Sequence, residues 1–336
     1  MNKPIKILVV RFSSIGDIVL TTPVVRCLKQ QLPSAQVHFC TKQKYNSLVI
    51  NNPYIDKCYL LDSSLYELIC QLQAEEYDYV VDLHNNFRTA LIKLALNVRC
   101  FAVDKLNLRK WVYISLKADV MPNQHVVDRY LNTVLKLGVK DDGLGLNFFI
   151  HPSDHVDINN LPATHHSGYV AYVIGGQYVT KRLPVWRMIE LCQKIGGPVV
   201  LLGGDEDRQA GDQVIEALGS ELVYNACGLY NLSQSASLLG RARVVFSHDT
   251  GLMHIAAAFK KKVYSIWGNT TPQLGMYPYG TSYVVLEKTG LGCRPCSKIG
   301  FGRCPMGHFR CMNEVEFSFD PNKLLEVSEG SLMPTT

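Results

Sequence analysis

Length, composition and charge exclude several classes of protein before any motif is considered. The chain has 336 residues, of which 47% are hydrophobic and 19% are charged. These values are typical of a globular protein with a large core, and the length suits two domains better than one. The formal net charge of +5 arises wholly within residues 1–150. This half therefore suits an acidic partner, but nothing indicates a nucleic-acid-binding protein.

The sequence predicts a cytoplasmic protein. It contains no run of eighteen apolar residues, so no transmembrane helix is expected. The apolar run at the N-terminus is short and lacks a small-residue cleavage site, so no signal peptide is expected either. Eleven cysteines are present. Those outside one cluster lie in apolar segments, which is typical of buried, reduced thiols.

Strands and helices alternate along the first half. The apolar run Ile5–Val10 predicts a strand, and a polar turn and a helix to about Gln31 follow it. Pro23 indicates either a bent first turn or a helix that begins near it. We place the domain boundary in the loop-like sequence between residues 138 and 165. Further predicted elements are the strands Gln36–Thr41, Lys57–Leu61 and Tyr79–Leu83 and the helices Leu65–Glu76, Thr89–Leu96 and His125–Leu137.

The second half repeats the alternation. Strands are predicted at Tyr169–Ile174, Val199–Leu202, Leu222–Tyr224, Val244–Phe246, Val263–Trp267 and Tyr283–Leu286, and helices near Pro184, after Asp207 and near Leu232–Leu239. Such alternation predicts parallel sheets covered by helices on both faces. We therefore predict an α/β fold with two Rossmann-like domains, residues 1–150 and 165–320, whose sheets face a ligand-binding cleft. Residues 321–336 are predicted to form a C-terminal tail.

The stretch Arg243–Phe259 combines a buried strand, a tight polar turn and a helix. The first N–H groups of a helix lack intrahelical partners and carry partial positive charge, so they can bind a phosphate. Gly251 lacks the Cβ that would keep a phosphate away, and Thr250 offers a hydroxyl. His254 lies one helical turn beyond Thr250, on the same side. The alternative is that Asp249 caps an ordinary helix and that His254 is a buried core histidine.

A second polar turn, R-F-S-S-I-G-D at Arg11–Asp17, follows the first strand. It is not the G-x-G-x-x-G fingerprint, so a dinucleotide cofactor is not expected. Asp17 either caps the following helix or acts as a general base beside the cleft. Arg88 belongs to D-L-H-N-N-F-R-T at Asp82–Thr89, after a later strand. Its guanidinium suits a carboxylate or phosphate, and the alternative is a solvated arginine at a helix end.

Together these motifs resemble glycosyltransferase family 9, the lipopolysaccharide heptosyltransferase family. The resemblance rests on D-T-G-x-x-H-x-A-A at Asp249–Ala257, on R-x-S-x-x-G-D followed by Pro23, and on T-K-R-L-P-V-W at Thr180–Trp186. Leu183 stands where an aromatic residue is common in the family. The resemblance implies the two-domain fold called GT-B and an inverting glycosyltransferase that moves heptose from ADP-heptose to a lipopolysaccharide core acceptor. It implies no cofactor and no catalytic metal. Because the acceptor is lipid-linked, it also implies transient contact with the cytoplasmic face of the inner membrane.

The same resemblance implies roles for individual residues. Asp17 stands at the position of the catalytic base, and Lys181 meets the donor diphosphate, whose charge grows as its bond breaks. Glu206 is our choice for the acid that binds the ribose, with Asp205 and Asp207 as alternatives. The donor site is thus expected to contain Thr180, Lys181, Glu206, Asp249, Thr250, Gly251 and His254, and the acceptor site Ser14, Gly16, Arg88 and Arg129.

The sequence leaves two questions open, the role of a cysteine cluster and the class of protein. The spacing C-x2-C-x7-C-x6-C at Cys293, Cys296, Cys304 and Cys311 fits either a structural zinc site or merely adjacent thiols. The alternatives to a glycosyltransferase are another nucleotide-sugar enzyme of the same fold, such as an epimerase or hydrolase, and a non-catalytic nucleotide-binding protein.

Overall fold

The computed structural model describes residues 4–219 and 221–324, which contain two separate parallel β-sheets. The first sheet has five strands in the order β3-β2-β1-β4-β5. In register, Val10 lies between Cys40 of β2 and Asp82 of β4. β1, at the centre, is buried almost throughout, as its unbroken apolar sequence predicts. The strands are β1 Lys6–Val10, β2 Gln36–Lys42, β3 Lys57–Leu61, β4 Tyr79–Asp82 and β5 Arg99–Ala102.

The second sheet has six strands in the order β11-β10-β9-β6-β7-β8. Its two central strands are fully buried, and Tyr172 lies opposite Phe246 in the register between them. The strands are β6 Val170–Val173, β7 Val199–Leu202, β8 Val223–Asn225, β9 Val244–His248, β10 Lys262–Trp267 and β11 Tyr283–Glu287. Together the two sheets confirm the prediction of an α/β protein with two Rossmann-like domains.

Helices connect the strands in both sheets. The helices are α1 Ile15–Val19, α2 Thr22–Gln31, α3 Leu65–Gln73, α4 Phe87–Leu96, α5 Asn107–Ser115, α6 Val126–Leu131, α7 Val185–Ile195, α8 Arg208–Leu218, α9 Leu232–Arg241, α10 Gly251–Ala258 and α11 Arg310–Asn313. One apolar core runs through both domains, and it includes Val24 of α2, Val127 of α6 and Met253 of α10. The two domains therefore share part of their packing.

Several local predictions are confirmed and others are wrong. Pro23 lies in the first turn of α2, so the regular helix does begin near it. The helix predicted to reach Leu137 stops at Leu131, because the N–H groups of Thr133 and Val134 bond three residues back and tighten the chain. β5 and α5 are absent from the prediction. α5 begins after Leu106 in a left-handed conformation with no side-chain cap, so no start signal precedes it.

The boundaries of the two domains stay predictions. The first sheet ends at Ala102 and the second begins at Val170, and α5, α6 and short 3-10 turns lie between them. Of the predicted tail, Pro321–Lys323 form a 3-10 turn and Leu324 is buried. The remainder of the tail, 325–336, lies outside the described residues.

Candidate active site

Each sheet has one point at which its strand order reverses, and the predicted site residues follow the strands on either side of it. In the first sheet this point lies between β1 and β4, which lead into the Asp17 turn and the Arg88 helix start. In the second sheet it lies between β6 and β9, which lead into the Lys181 loop and the start of α10. Ligands of open α/β sheets bind at the carboxyl ends of strands at such points. The topology thus supports one candidate site in each domain.

Helices α1 and α10 bring these two points together. A Cβ built on Gly16 would lie 2.6 Å from the His254 ring, and one built on Gly251 would lie 2.6 Å from Cγ2 of Ile15. A side chain at either glycine would therefore force the helices apart. The sequence suggested that Gly251 lacks a Cβ so that a phosphate can approach. In the structure, the space that this Cβ would occupy is filled by Ile15 of the other domain.

Asp17 occupies the first turn of α1, and both of its oxygens have partners. One oxygen lies 2.6 Å from Nη2 of Arg11. The other accepts hydrogen bonds from the N–H of Ser14, at 3.1 Å, and from its hydroxyl, at 2.7 Å. Burial alone would raise the pKa of Asp17, but the charge of Arg11 and the Ser14 hydrogen bonds outweigh it and lower the pKa. The carboxyl is therefore ionised at neutral pH, and its side chain remains 23% exposed to the cleft.

Lys181 lies across the contact, beside the N-terminus of α10. Its Nζ is 2.6 Å from a carboxylate oxygen of Asp249 and 3.3 Å from the Asp249 carbonyl oxygen. Thr270 donates to the same carboxylate oxygen at 2.8 Å. Asp249 therefore holds the ammonium group at the positive end of the helix, next to Thr250, its N-cap residue. Such a pair of positive groups suits an anionic ligand.

His254 is buried between these groups. Its side chain is inaccessible, and its Nδ1 has no hydrogen-bond partner among the described residues. Burial lowers the pKa of His254 to about 4, although the nearby carboxylates of Asp249 and Asp17 act in the opposite direction. The ring is therefore neutral at physiological pH. The interpretation as a buried core histidine describes its burial but leaves its free nitrogen unexplained.

Thr180 joins the Lys181 loop to the cysteine-rich segment, residues 288–311. Its hydroxyl donates to the Phe301 carbonyl at 3.1 Å and accepts from the Phe301 N–H at 2.8 Å. Arg294 of the same segment donates to the Thr270 carbonyl at 3.0 Å and pairs with Glu287 at 2.8 Å. The cysteine-rich segment thus fixes the loops that carry Lys181 and Thr270. The hydroxyl of Thr180 is already bonded, so its effect on a bound donor would come through the position of Lys181.

The acidic turn after β7 separates its three carboxylates. Asp207 is buried, pairs with Arg182 at 2.9 Å and accepts from the Gly204 N–H at 3.0 Å. Asp205 lies 3.2 Å from Arg208. Glu206 is exposed and makes no ion pair or hydrogen bond within the described ranges. Among the three acids, Glu206 is therefore the one available to an external partner.

The predicted acceptor residues differ in their surroundings. Arg88 is exposed at the start of α4 and has no ion-pair partner in the described chain. Arg129 is 5% exposed, and the one hydrogen bond that its side chain makes among the described residues is a long one, 3.5 Å from Nη1 to the Asp104 carbonyl. Its Nε and Nη2 have no partner among the described residues. A buried guanidinium with two free donors is costly unless an anion occupies it.

Further cations lie near Arg129, and sequence reasoning had not assigned Lys105, Lys298 or Arg11 to the site. Burial and then the charge of Arg129 lower the pKa of Lys110 to about 8, and Lys298 and Lys105 add to this effect. Lys105 follows β5, which the sequence did not predict, and Lys298 belongs to the cysteine-rich segment, which had been considered only as a metal site. Arg11 stood in a recognised motif without an assigned role. Lys105, Lys110, Arg129 and Arg11 of the first domain and Lys298 of the cysteine-rich segment lie near enough for their charges to lower the pKa of Lys105 or Lys110, and we call this group the basic wall of the cleft.

The four clustered cysteines do not converge on one point. Cys296 donates to the Cys293 carbonyl at 3.1 Å, and Cys293 Sγ lies 3.8 Å from Nε2 of His308. In the described parts of the chain, only one group of three potential metal ligands has its ligand atoms within 4.8 Å of one another. That group is Cys27, Asp141 and Asp142, and it includes none of the four clustered cysteines. Asp142 there already pairs with Arg26 at 2.6 Å. The geometry therefore favours a cysteine-rich segment that connects neighbouring loops over a preformed metal site.

No helix among the described residues is both long and apolar enough to cross a bilayer. Two parallel sheets whose switch points lie on either side of one helix contact, with a carboxylate on one side and a lysine at a helix N-terminus on the other, have the predicted two-domain arrangement of the GT-B class.

Comparisons with known proteins agree with this class. The model of glycosyltransferase family 9 (heptosyltransferase) matches residues 65–303. The chain therefore belongs to glycosyltransferase family 9, and it is a glycosyltransferase. The matched range begins after Asp17, so the match itself does not include that residue.

Individual relatives are similar over most of their length. Lipooligosaccharide heptosyltransferase 2 of Haemophilus ducreyi is 24% identical over 293 residues, which cover 80% of this chain and 84% of the relative. A glycosyltransferase of family 9 from Veillonella parvula has a TM-score of 0.71 at 22% identity and covers 85% of this chain and 87% of its own. The E. coli ADP-heptose lipopolysaccharide heptosyltransferase II has a TM-score of 0.66 at 20% identity and covers 92% and 98%. These structures confirm the GT-B fold.

Proposed function

We propose that the protein is an inverting heptosyltransferase that transfers heptose from ADP-heptose to an acidic, lipid-linked lipopolysaccharide core acceptor. The family supplies the reaction class. The donor and acceptor are inferred from relatives that are themselves lipopolysaccharide or lipooligosaccharide heptosyltransferases. One observation carries the proposal: the contact of α1 and α10 joins the turn that holds Asp17 to the helix start beside which Asp249 holds Lys181.

In the proposed reaction, Asp17 takes the proton of the acceptor hydroxyl. The acceptor oxygen then forms a bond to the anomeric carbon while the bond from that carbon to the diphosphate oxygen breaks. The electron pair of the broken bond leaves with ADP, and the configuration at the anomeric carbon inverts. The ionised state of Asp17 at neutral pH supports this role, because a base must be free of its proton before it can act.

The proposed donor site contains Thr180, Lys181, Glu206, Asp249, Thr250, Gly251 and His254. Lys181 and the first N–H groups of α10 would stabilise the negative charge that develops on the departing diphosphate. Glu206 would accept hydrogen bonds from the ribose. The free Nδ1 of His254, buried between the two halves of the site, would gain a partner when the donor binds.

The proposed acceptor site contains Ser14, Gly16, Arg88 and Arg129. To these we add Lys105, Lys110 and Lys298. The two free donors of Arg129 suit a carboxylate or a phosphate on the acceptor sugar, since such groups can accept two parallel hydrogen bonds. We further propose that the enzyme acts in the cytoplasm, at the inner face of the membrane that holds its acceptor.

A thermal-shift measurement tests the choice of donor. A ligand that binds the native state raises Tm by mass action. ADP-heptose and ADP should raise the Tm of the parent protein, while UDP-sugars at the same concentration should not. Stabilisation by a UDP-sugar alone would exclude ADP-heptose as the donor.

A further inference from the structure

Large apolar side chains are unusually exposed along α5. Leu108 is 75% exposed and Trp111 is 56% exposed, and they lie three residues apart on one face of the helix. Leu116, directly after the helix, is 64% exposed. Single exposed apolar residues are normal, but a tryptophan between two exposed leucines on one short element is typical of a contact surface.

The opposite side of α5 is firmly attached to the rest of the molecule. Tyr113 is buried, and its hydroxyl lies 3.0 Å from the hydroxyl of Thr271 in the second domain. Beyond the end of the helix, Lys117 donates to the carbonyl of Pro295 at 2.6 Å and to that of Cys293 at 3.1 Å. The exposed face is therefore a fixed feature of the surface, not the consequence of a loosely attached helix.

The charged side chains of α5 and its immediate neighbours are all positive, and the nearest carboxylates in the sequence are Asp104 and Asp119. Residues 105–117 contain Lys105, Arg109, Lys110 and Lys117 and no carboxylate. Arg109 is exposed next to Leu108 and makes no ion pair among the described residues. Lys110 is half-buried, and burial together with the charge of Arg129 lowers its pKa, which places it near the basic wall of the cleft. A helix with apolar and basic groups on its outer face is complementary to a membrane with anionic lipids.

We propose that the α5 surface, consisting of Leu108, Arg109, Trp111 and Leu116, docks the enzyme on an anionic lipid bilayer. Leucine and tryptophan side chains enter the interface between head groups and acyl chains, and Arg109 contacts lipid phosphate groups. The same helix carries Lys110, which belongs to the proposed acceptor site. Docking through α5 therefore brings the cleft to the level at which a lipid-linked saccharide emerges from the membrane. This inference rests on the proposed lipid-linked acceptor.

Co-sedimentation of the full chain with vesicles tests the proposal. The parent should bind vesicles that contain phosphatidylglycerol and should bind pure phosphatidylcholine vesicles much more weakly. The double variant Leu108→Ser/Trp111→Ser should lower the binding constant roughly tenfold or more, since it removes two inserted apolar groups. Arg109→Gln should lower it about fivefold at low salt, the effect expected of one cation near an anionic surface. This second variant keeps the test valid if the double variant does not fold.

Trp186→Ser is the matched control. Trp186 is 55% exposed, almost the same as Trp111, but it lies on α7 of the second domain. The Trp186→Ser variant should bind vesicles as strongly as the parent does. Equal vesicle binding by the parent and both α5 variants would overturn the proposal, as would no binding by the parent. A parent dimer that becomes monomeric in the double variant would also overturn it, because a second copy would then cover α5.

Transfer to an acceptor saccharide without its lipid separates this inference from the proposed function. The double variant should turn over the lipid-free acceptor at the parental rate, and it should be slower only with acceptor embedded in vesicles. A parent with no transferase activity toward either acceptor would contradict the proposed function, and the vesicle result would still decide the role of α5.

Discussion

Replacing Asp17 with asparagine separates the two roles that its position allows. Asparagine has nearly the same shape, and its amide oxygen can accept the hydrogen bonds that Ser14 now donates at 3.1 and 2.7 Å. The substitution removes the negative charge and therefore the ion pair with Arg11 at 2.6 Å. Arg11 keeps two other acceptors, the carbonyl oxygens of Ser13 at 2.7 Å and of Leu83 at 2.6 Å.

The expected loss of stability is therefore small. A partly exposed, hydrogen-bonded ion pair is worth about 1–2 kcal/mol, which lowers the Tm of a chain of this size by only a few degrees. The expected loss of activity is large, because a general base contributes ~10²–10⁴-fold to the rate. Asp17→Asn should fold, bind ADP-heptose with parental affinity and show a kcat lower by about this factor.

Asp56→Asn is the matched control for this experiment. Asp56 also combines an ion pair, with Lys29 at 2.7 Å, and a backbone hydrogen bond, from Val37 at 2.7 Å. It lies at the opposite end of the first sheet, where β2 begins. Its asparagine variant should lose a similar amount of stability and no activity. If Asp17→Asn retains near-parental turnover of ADP-heptose with acceptor, Asp17 is a capping residue and another group must be the base.

Three further predictions concern the donor site, the acceptor site and pH. Lys181→Ala should weaken ADP-heptose binding in calorimetry and also lower kcat, because Lys181 would contact the diphosphate before and during bond cleavage; unchanged donor affinity would place the nucleotide elsewhere. Arg88→Ala should raise KM for the acceptor and leave donor affinity unchanged, and a loss of donor binding would assign Arg88 to the other subsite. Lowering the pH should destabilise the fold already at pH values above those at which the carboxylates take up protons. Burial lowers the pKa of His254 to about 4 and that of His125 and His248 to about 3. The unfolded chain therefore takes up more protons below about pH 6.5, and stability should fall from there toward pH 4. A Tm that is constant between these values would show that these rings are charged or exposed.

The order of strands and helices could be predicted largely from local sequence. Ile5–Val10 and the start of Arg243–Phe259 are apolar runs bounded by polar turns, and both form central strands. Elements without local signals were missed. Arg99–Ala102 is a short edge strand, and α5 starts after Leu106 at a positive φ that no sequence pattern indicates. Their positions are determined by tertiary contacts.

The surroundings of the candidate site were less predictable than its motifs. The turns that hold Asp17 and Lys181 could be recognised because each directly follows a strand. The contact that joins them depends on Gly16 and Gly251, which are far apart in sequence. No local pattern reveals that His254 excludes a side chain at Gly16 or that Ile15 excludes one at Gly251. Lys298 likewise reaches the basic wall only because the cysteine-rich segment is folded across both domains.

Analysis of the reaction product tests the central proposal most directly. The protein is incubated with ADP-heptose in the presence and absence of a lipid-linked core acceptor, ADP release is followed, and the anomeric configuration of the product is determined by NMR. We expect ADP release that requires acceptor, with one glycoside of inverted configuration formed for each ADP. Release of free heptose or of an isomerised donor without acceptor, or binding of ADP-heptose with no turnover at all, would contradict it.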